Sequence, residues 1–129
     1  MPAEDRITRA RALLGVPFRL HGRCAASGVD CIGLVAMAAN RVPQAPAGYS
    51  LRTTQDERWI ALLDAMAERI DQPEPGALLL LRPGPAQLHL GLWTGTSLIH
   101  ADAGVRRVVE TPGVPRWPVI GIWQLTNKD

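Results

Sequence analysis

Three residues of this chain carry side chains suited to nucleophilic chemistry at a carbonyl: Cys31, His89 and His100. Cys31 opens the run CIGLVAMAAN, whose short, apolar, Ala-rich composition predicts a buried helix from about Cys31 to Asn40. The first turn of a helix offers unpaired N–H groups and the positive end of the dipole. Both favour a thiolate, the nucleophilic form of the side chain, and the same N–H groups can hold an oxyanion. Asp30 suits the N-cap, where its carboxylate accepts from the second or third helical N–H. The same cysteine also fits a plain role as a small buried hydrophobe, and local context alone leaves both readings open.

The histidines lie in LHLGLWTGTSLIH, which predicts a hairpin turning between Thr94 and Ser97. With Thr94-Gly95 as the turn pair, His89 opposes His100. With Gly95-Thr96, His100 opposes Gly91 and His89 becomes its diagonal neighbour. Either even-length loop puts both imidazoles on one face, roughly 5 to 8 Å apart. His89 then suits a general base that takes the Cys31 proton and later protonates a leaving amine. His100 suits the group that orients His89 and fixes its tautomer. A hydrogen-bonded pair of sheet histidines without chemistry is the bland alternative. Gly91, between the histidines, predicts room for a substrate or another chain to approach.

These residues need a helix start and a sheet to hold them, and the chain divides accordingly. Residues 3 to 14 place Ile7, Ala10, Leu13 and Leu14 on one helical face. Gly15 and Pro17 end that helix, and a Gly- and Ala-rich loop runs on to Asp30. RVPQAPAGYS reads as an irregular loop. Thr54 with Glu57 resembles a capping box for a third helix, with Ile60, Leu63, Met66 and Ala67 as its buried stripe. After the PEPG break, ALLLL, LHLGLW, SLIHA, VRRVVE and VIGIWQL read as strands. Helices followed by consecutive strands predict an α+β fold, N-terminal helices on a C-terminal antiparallel sheet of about five strands.

Composition bounds the function. The 129 residues predict a single domain with a real core, and 47% hydrophobic content fits a globular protein. A net charge of +2 with scattered basic residues gives no nucleic-acid footprint. No stretch reaches the length of a membrane span, and the charged N-terminus lacks the apolar core of a signal peptide. The expectation is synthesis in the cytoplasm without an export signal. Two cysteines make no disulfide framework.

Taken together, GVPFRL, GVDCIGLV, EPGALLLL, LHLGLW and LIHA resemble the NlpC/p60 cell-wall peptidases of the papain-like superfamily, and most of all their phage-tail-associated branch. The resemblance runs from about Arg9 to Leu125. It implies Cys31 as nucleophile, His89 as base and His100 as the third polar residue. It implies an endopeptidase of peptidoglycan stem peptides, cutting between γ-D-glutamate and a diamino acid, with no cofactor or metal. Delivery by a phage particle, and phage tail proteins as partners, follow from the same resemblance. The chain departs from the family pattern at four places: Phe18 replaces a Tyr, Leu20 a Trp, Ile32 the Ser after the nucleophile, and Ala77 the Asp of P-G-D. The candidate substrate contacts are Phe18, Arg19, Arg23 and Asp30, the arginines because stem peptides carry carboxylates.

Other residues carry weaker signals. His21-x-x-Cys24 has the spacing of half a zinc site, with no second close pair. A Cys24–Cys31 disulfide would silence the nucleophile, and an incidental loop thiol is the simpler reading of Cys24. Trp93, Trp117 and Trp123 are placed in strands with packing roles, and Tyr49 ends a Pro-rich loop that can border a cleft. Beside the peptidase stand two other readings: a non-catalytic wall-binding or tail-assembly module, and an amidase or acyltransferase on the same fold.

Overall fold

A computed structural model describes residues 1–46 and 48–125; Ala47, within the Pro-rich loop, lies outside the described residues. Three α-helices precede the main sheet: α1 (Ala3–Arg11), α2 (Cys31–Ala38) and α3 (Asp56–Met66). Two short strands, β1 (Arg23–Cys24) and β2 (Gly28–Val29), form a ribbon just before α2. The remaining strands are β3 (Glu68–Ile70), β4 (Leu78–Gly84), β5 (Gln87–Trp93), β6 (Ser97–Asp102), β7 (Arg107–Pro112) and β8 (Val119–Gln124). They make one antiparallel sheet in the order β3-β8-β4-β5-β6-β7.

The α+β architecture with helices first is the expected one, with six strands where five were expected. The added strand, β3, follows α3 directly: Ala67 leaves the helix in extended conformation, and Glu68 to Ile70 pair with β8. The β1–β2 ribbon falls in the stretch expected to be loop. The capping box at Thr54 does not form; Gln55 is the N-cap, and α3 buries Trp59 and Leu63 rather than the full expected stripe. Helix α1 stops three residues early, at Arg11, and Leu14 is exposed. Arg6 is buried, with its guanidinium bonded to Met1 O and Gln124 Oε1, each at 2.6 Å.

The sheet has two packed faces. Leu78, Leu80, Leu88, Leu90, Leu92 and Ile99 meet the helices, and Cys31 belongs to this cluster. Leu79, Leu81, Trp93 and Leu98 form a second cluster on the other face, with Trp117 and Ile122 against it. This is the two-faced alternation that the strand sequences require. Trp117 itself lies in the connection between β7 and β8, not in a strand. Among the described residues no helix is long and apolar enough to cross a membrane.

Candidate functional site

Helix α2 starts where Asp30, in extended conformation, accepts from the N–H of Gly33 at 2.8 Å. That is the expected N-cap, but the carboxylate does more. It also accepts from His21 N at 2.8 Å, Arg23 Nη1 at 3.2 Å and the Tyr49 hydroxyl, while being fully buried. Arg23 in turn reaches Gly22 O, Pro46 O and the Tyr49 hydroxyl. Gly33 is needed because a Cβ there would stand 2.0 Å from Gly22 O, where the ribbon crosses the helix start.

Cys31 follows immediately, and its side chain is buried, at 0% exposure. Burial first, and the Asp30 carboxylate second, push the thiol up to about 12. The N–H groups of Leu90, Ile32 and Cys31 itself act in the opposite direction without overcoming this. The helix start therefore does not by itself produce a thiolate. Desolvation and the capping anion outweigh the backbone N–H groups that face the sulfur.

The Leu90 N–H locates the sulfur in the sheet. Trp93 exchanges backbone bonds with Gly76 and Ala77 on the β4 side, at 2.7 and 2.8 Å. Alternation along β5 then points the N–H groups of Leu88, Leu90 and Leu92 toward β6. Pairing with β6 covers only Leu92↔Ile99 and Trp93↔Leu98, so β5 and β6 part beyond that point. In the gap, Leu88 N bonds to Leu51 O at 2.9 Å, and Leu90 N faces Cys31. The sulfur thus sits at the seam where the two strands separate.

Both histidines alternate to the other face of the sheet, the side of Leu98 and Trp117, whereas Cys31 packs with the helix-side leucines. Thr94 N bonds to Ser97 O at 2.9 Å, with φ of 109° at Gly95, so the turn pair is Gly95-Thr96. Pairing in that register ends at Leu92↔Ile99, yet alternation keeps His89 and His100 on one face beyond it. His89 Nε2 and His100 Nδ1 lie 2.8 Å apart, and the ring centroids 5.0 Å. His100 Nε2 bonds to Thr111 Oγ1 at 3.1 Å. His89 Nδ1 makes no hydrogen bond among the described residues. If Thr111 accepts, His100 carries its proton on Nε2, His89 carries its own on Nε2, and His89 Nδ1 is a free base. No hydrogen bond joins the Cys31 sulfur to either ring among the described residues.

Burial, followed by the neighbouring His100, lowers His89 to about 4 against a smaller opposing effect of Asp102. His100 is also lowered, chiefly by burial. The thiol and both imidazoles are therefore neutral at pH 7. Trp117 stands edge-on to both rings, at 5.6 and 5.8 Å between centroids. Gly91 does not leave open space: a Cβ there would meet Leu98 Cδ1 at 2.6 Å, so the room belongs to a core leucine.

A cleft of about 580 Å³ opens beside His89, and Phe18, Leu20, Tyr49, Arg52, Asp102 and Arg116 are among its walls. Of the expected substrate contacts, Phe18 is among these walls. Asp30 and Arg23 are not, and their polar atoms are bonded to each other, to Tyr49 and to the backbone. Arg19 is exposed and lies outside the walls of the cleft. His21 Nε2 bonds to Tyr49 O at 2.8 Å, Cys24 is an exposed free thiol, and no disulfide links it to the buried Cys31. Among the described residues no group of three or more His, Cys, Asp or Glu is placed to hold a metal ion.

Sequence reasoning left out Thr111 and Arg116. A signal for Thr111 exists: in the β6–β7 register His100 pairs with Val109 and Leu98 with Thr111, so Thr111 is a diagonal, same-face neighbour of His100. Arg116 sits in an irregular connection, where no periodicity marks it.

No protein-family model matches the sequence, and no curated protein matches it. Solved structures do. NlpC1 from Trichomonas vaginalis aligns with a TM-score of 0.74 at 21% identity, over 98% of this chain and 45% of that one. The NlpC/p60 domain of the peptidoglycan hydrolase SagA aligns at 0.64 and 18% identity, over 87% of this chain and 90% of that one. The peptidoglycan hydrolase RipB from Mycobacterium tuberculosis aligns at 0.66 and 21% identity, over 98% and 65%. The chain thus spans less than half of the first of these proteins and nearly all of the second. These likenesses give the chain, with its three helices and six-stranded antiparallel sheet, the fold of NlpC/p60 domains.

Proposed function

We propose that this chain is a cysteine peptidase of peptidoglycan stem peptides. The observation that carries the reading is the chain His89–His100–Thr111, which leaves His89 Nδ1 unbonded beside a cleft, one residue before the Leu90 N–H that faces the Cys31 sulfur. In the proposed reaction Cys31 Sγ attacks the amide carbonyl while its proton passes to His89 Nδ1. The imidazolium is held through Nε2–H by His100, and N–H groups at the start of α2 hold the oxyanion. His89 then gives the proton to the leaving amine. Water attacks the thioester, the thiol is regenerated, and an acid product leaves. The proposed scissile bond joins γ-D-glutamate to a diamino acid, and the proposed setting is a phage tail tip acting on the wall.

Burial raises the thiol and lowers the imidazole, so proton transfer from Cys31 to His89 is uphill in the closed arrangement. The peptidase reading therefore requires substrate to part the walls around Cys31 before the proton moves. The complete burial of the sulfur favours a second reading, a wall-binding or assembly module in which Cys31 only packs. Incubation with defined muropeptides, followed by mass analysis of the products, decides between them. Cleavage that disappears with Cys31→Ala supports the peptidase. Unchanged turnover in that variant excludes the mechanism, and binding without cleavage by the unmutated chain favours the second reading. The same masses separate a peptidase from an amidase or acyltransferase.

A further inference from the structure

The cleft beside His89 is walled in part by two arginines, Arg52 and Arg116, and by the carboxylate of Asp102. Three arginines lie over aromatic rings, Arg23 on Tyr49, Arg69 on Trp123 and Arg116 on Trp117, and of these only Arg116 donates to no acceptor among the described residues. Its guanidinium lies over the Trp117 ring, 4.9 Å from the centroid, and Trp117 is itself seated edge-on against both imidazoles. Stacking fixes the plane of the guanidinium while leaving its edge N–H groups unused. No carboxylate or carbonyl accepts from Arg116 among the described residues. Asp102, the nearby acid, uses Oδ1 to accept from Gly104 N at 2.6 Å and Val105 N at 3.3 Å. Arg116 also borders a second cavity of about 160 Å³, which His100, Thr111 and Trp117 line as well. It therefore stands at the partition between the two cavities, close enough to the histidine pair for its charge to act on His100.

A planar cation with free donors, oriented by an aromatic shelf and placed at a cleft wall beside a base, is built to receive a planar anion. We propose that Arg116 is the specificity-determining residue of this cleft and binds a carboxylate of the peptide ligand, close to the amide presented to His89. This deepens the stem-peptide reading above and rests on it for the identity of the ligand: stem peptides carry a free carboxylate at the γ-linked glutamate, and an amidated form of the same residue is its uncharged isostere. It also replaces Arg19 and Arg23 as the carboxylate contacts, since Arg23 is engaged by Asp30 and Arg19 is not in the cleft wall.

The test compares two synthetic stem peptides differing only in a carboxylate or carboxamide at that glutamate. Binding is measured by calorimetry in the Cys31→Ala background, with and without Arg116→Gln, and turnover is measured in parallel with Cys31 intact. The expected result is tighter binding of the carboxylate form, lost by about 10- to 100-fold in Arg116→Gln, with the carboxamide form unaffected. Arg116→Lys recovers part of the preference, because charge remains while the planar fork is gone. Equal affinity for the two peptides, or an equal loss for both in Arg116→Gln, overturns the inference whether or not cleavage occurs. Absence of cleavage with the carboxylate preference intact refutes the peptidase reading and leaves the carboxylate site standing.

Discussion

The buried thiol gives a sharp expectation for chemical labelling. A thiol near 12 is thiolate to about one part in 10⁵ at pH 7. An ordinary exposed thiol, near 8.5, is about 3% thiolate at the same pH. Cys24 is exposed, and hydrogen bonds from the Ala26 and Ser27 backbone lower it further. Iodoacetamide at pH 7 should therefore modify Cys24 at least ~10³-fold faster than Cys31, before any steric effect is counted. Peptide mass mapping over a time course separates the two sites, and a urea-unfolded control should label both alike. Raising the pH from 6 to 9 should speed Cys31 by about tenfold per unit with no plateau, while Cys24 levels off. Labelling of Cys31 within tenfold of Cys24 in the folded, unliganded protein would refute the neutral, enclosed thiol. Addition of a stem peptide with a reduced, uncleavable amide should then accelerate Cys31 labelling if substrate parts the seam. No acceleration at saturating peptide contradicts the peptidase reading.

Further outcomes follow from the same geometry. The buried His89 is neutral in the fold, with its pKa lowered to about 4 from 6.5. The unfolded chain thus binds more protons between those values. His89 contributes about 3 kcal/mol that is fully present above pH 6.5 and is lost as the pH falls through 4, which urea midpoints across that window should show as a steady decline. Asp30→Asn should cost about 3 kcal/mol, since it leaves Arg23 without its counter-ion, and should lower the Cys31 pKa by removing the anion beside it; an unchanged urea midpoint contradicts the first part and an unchanged thiol titration the second. Gly33→Ala drives a Cβ to 2.0 Å from a backbone oxygen and should cost about 3 kcal/mol or more, visible as a fall in Tm. Thr111→Val removes the hydroxyl bonded to His100 Nε2. Nitrogen NMR should then show mixed tautomers at both histidines, with Thr111→Ser restoring one; a single tautomer in the valine variant means that Thr111 does not set it.

Much of this arrangement was legible in the chain, and the reasons are local. Helix α2 and its Asp30 cap are written in adjacent residues, so the cap bond to Gly33 was open to prediction. The shared face of His89 and His100 follows from period-two alternation and an even-length turn. Environment was not legible. The thiol's protonation depends on what surrounds it, and nothing near Cys31 in sequence announces that Leu90 faces it. Gly91 shows the same limit: its lack of a side chain was visible, but Leu98 decides what fills the space. β3 was missed because three residues, ERI, carry too little pattern to compete with the end of a helix, and pairing with β8 makes the strand.

The Asp30 network sets two demands against each other. Four donors hold its carboxylate, and this fixes the start of α2 and hence the position of the sulfur. The same buried charge, beside that sulfur, penalises the thiolate that a nucleophile must become. Arg23, bonded to Asp30, offsets part of the negative charge, but it reaches outward to Pro46 O and the Tyr49 hydroxyl. Tyr49 is also a wall of the cleft. A ligand that pulls Tyr49 away would therefore loosen one Asp30 donor and open the wall near the seam in one movement. Position is thus rigid and protonation adjustable, and the adjusting side chain is the one a ligand can touch. Tyr49→Phe, which keeps the ring and removes the donor, isolates this link. It should leave the fold intact and make Cys31 harder to ionise, because the Asp30 charge loses a compensating hydrogen bond. A Cys31 titration unmoved by Tyr49→Phe would show that the hydroxyl has no influence on the sulfur and that Tyr49 serves only as a wall.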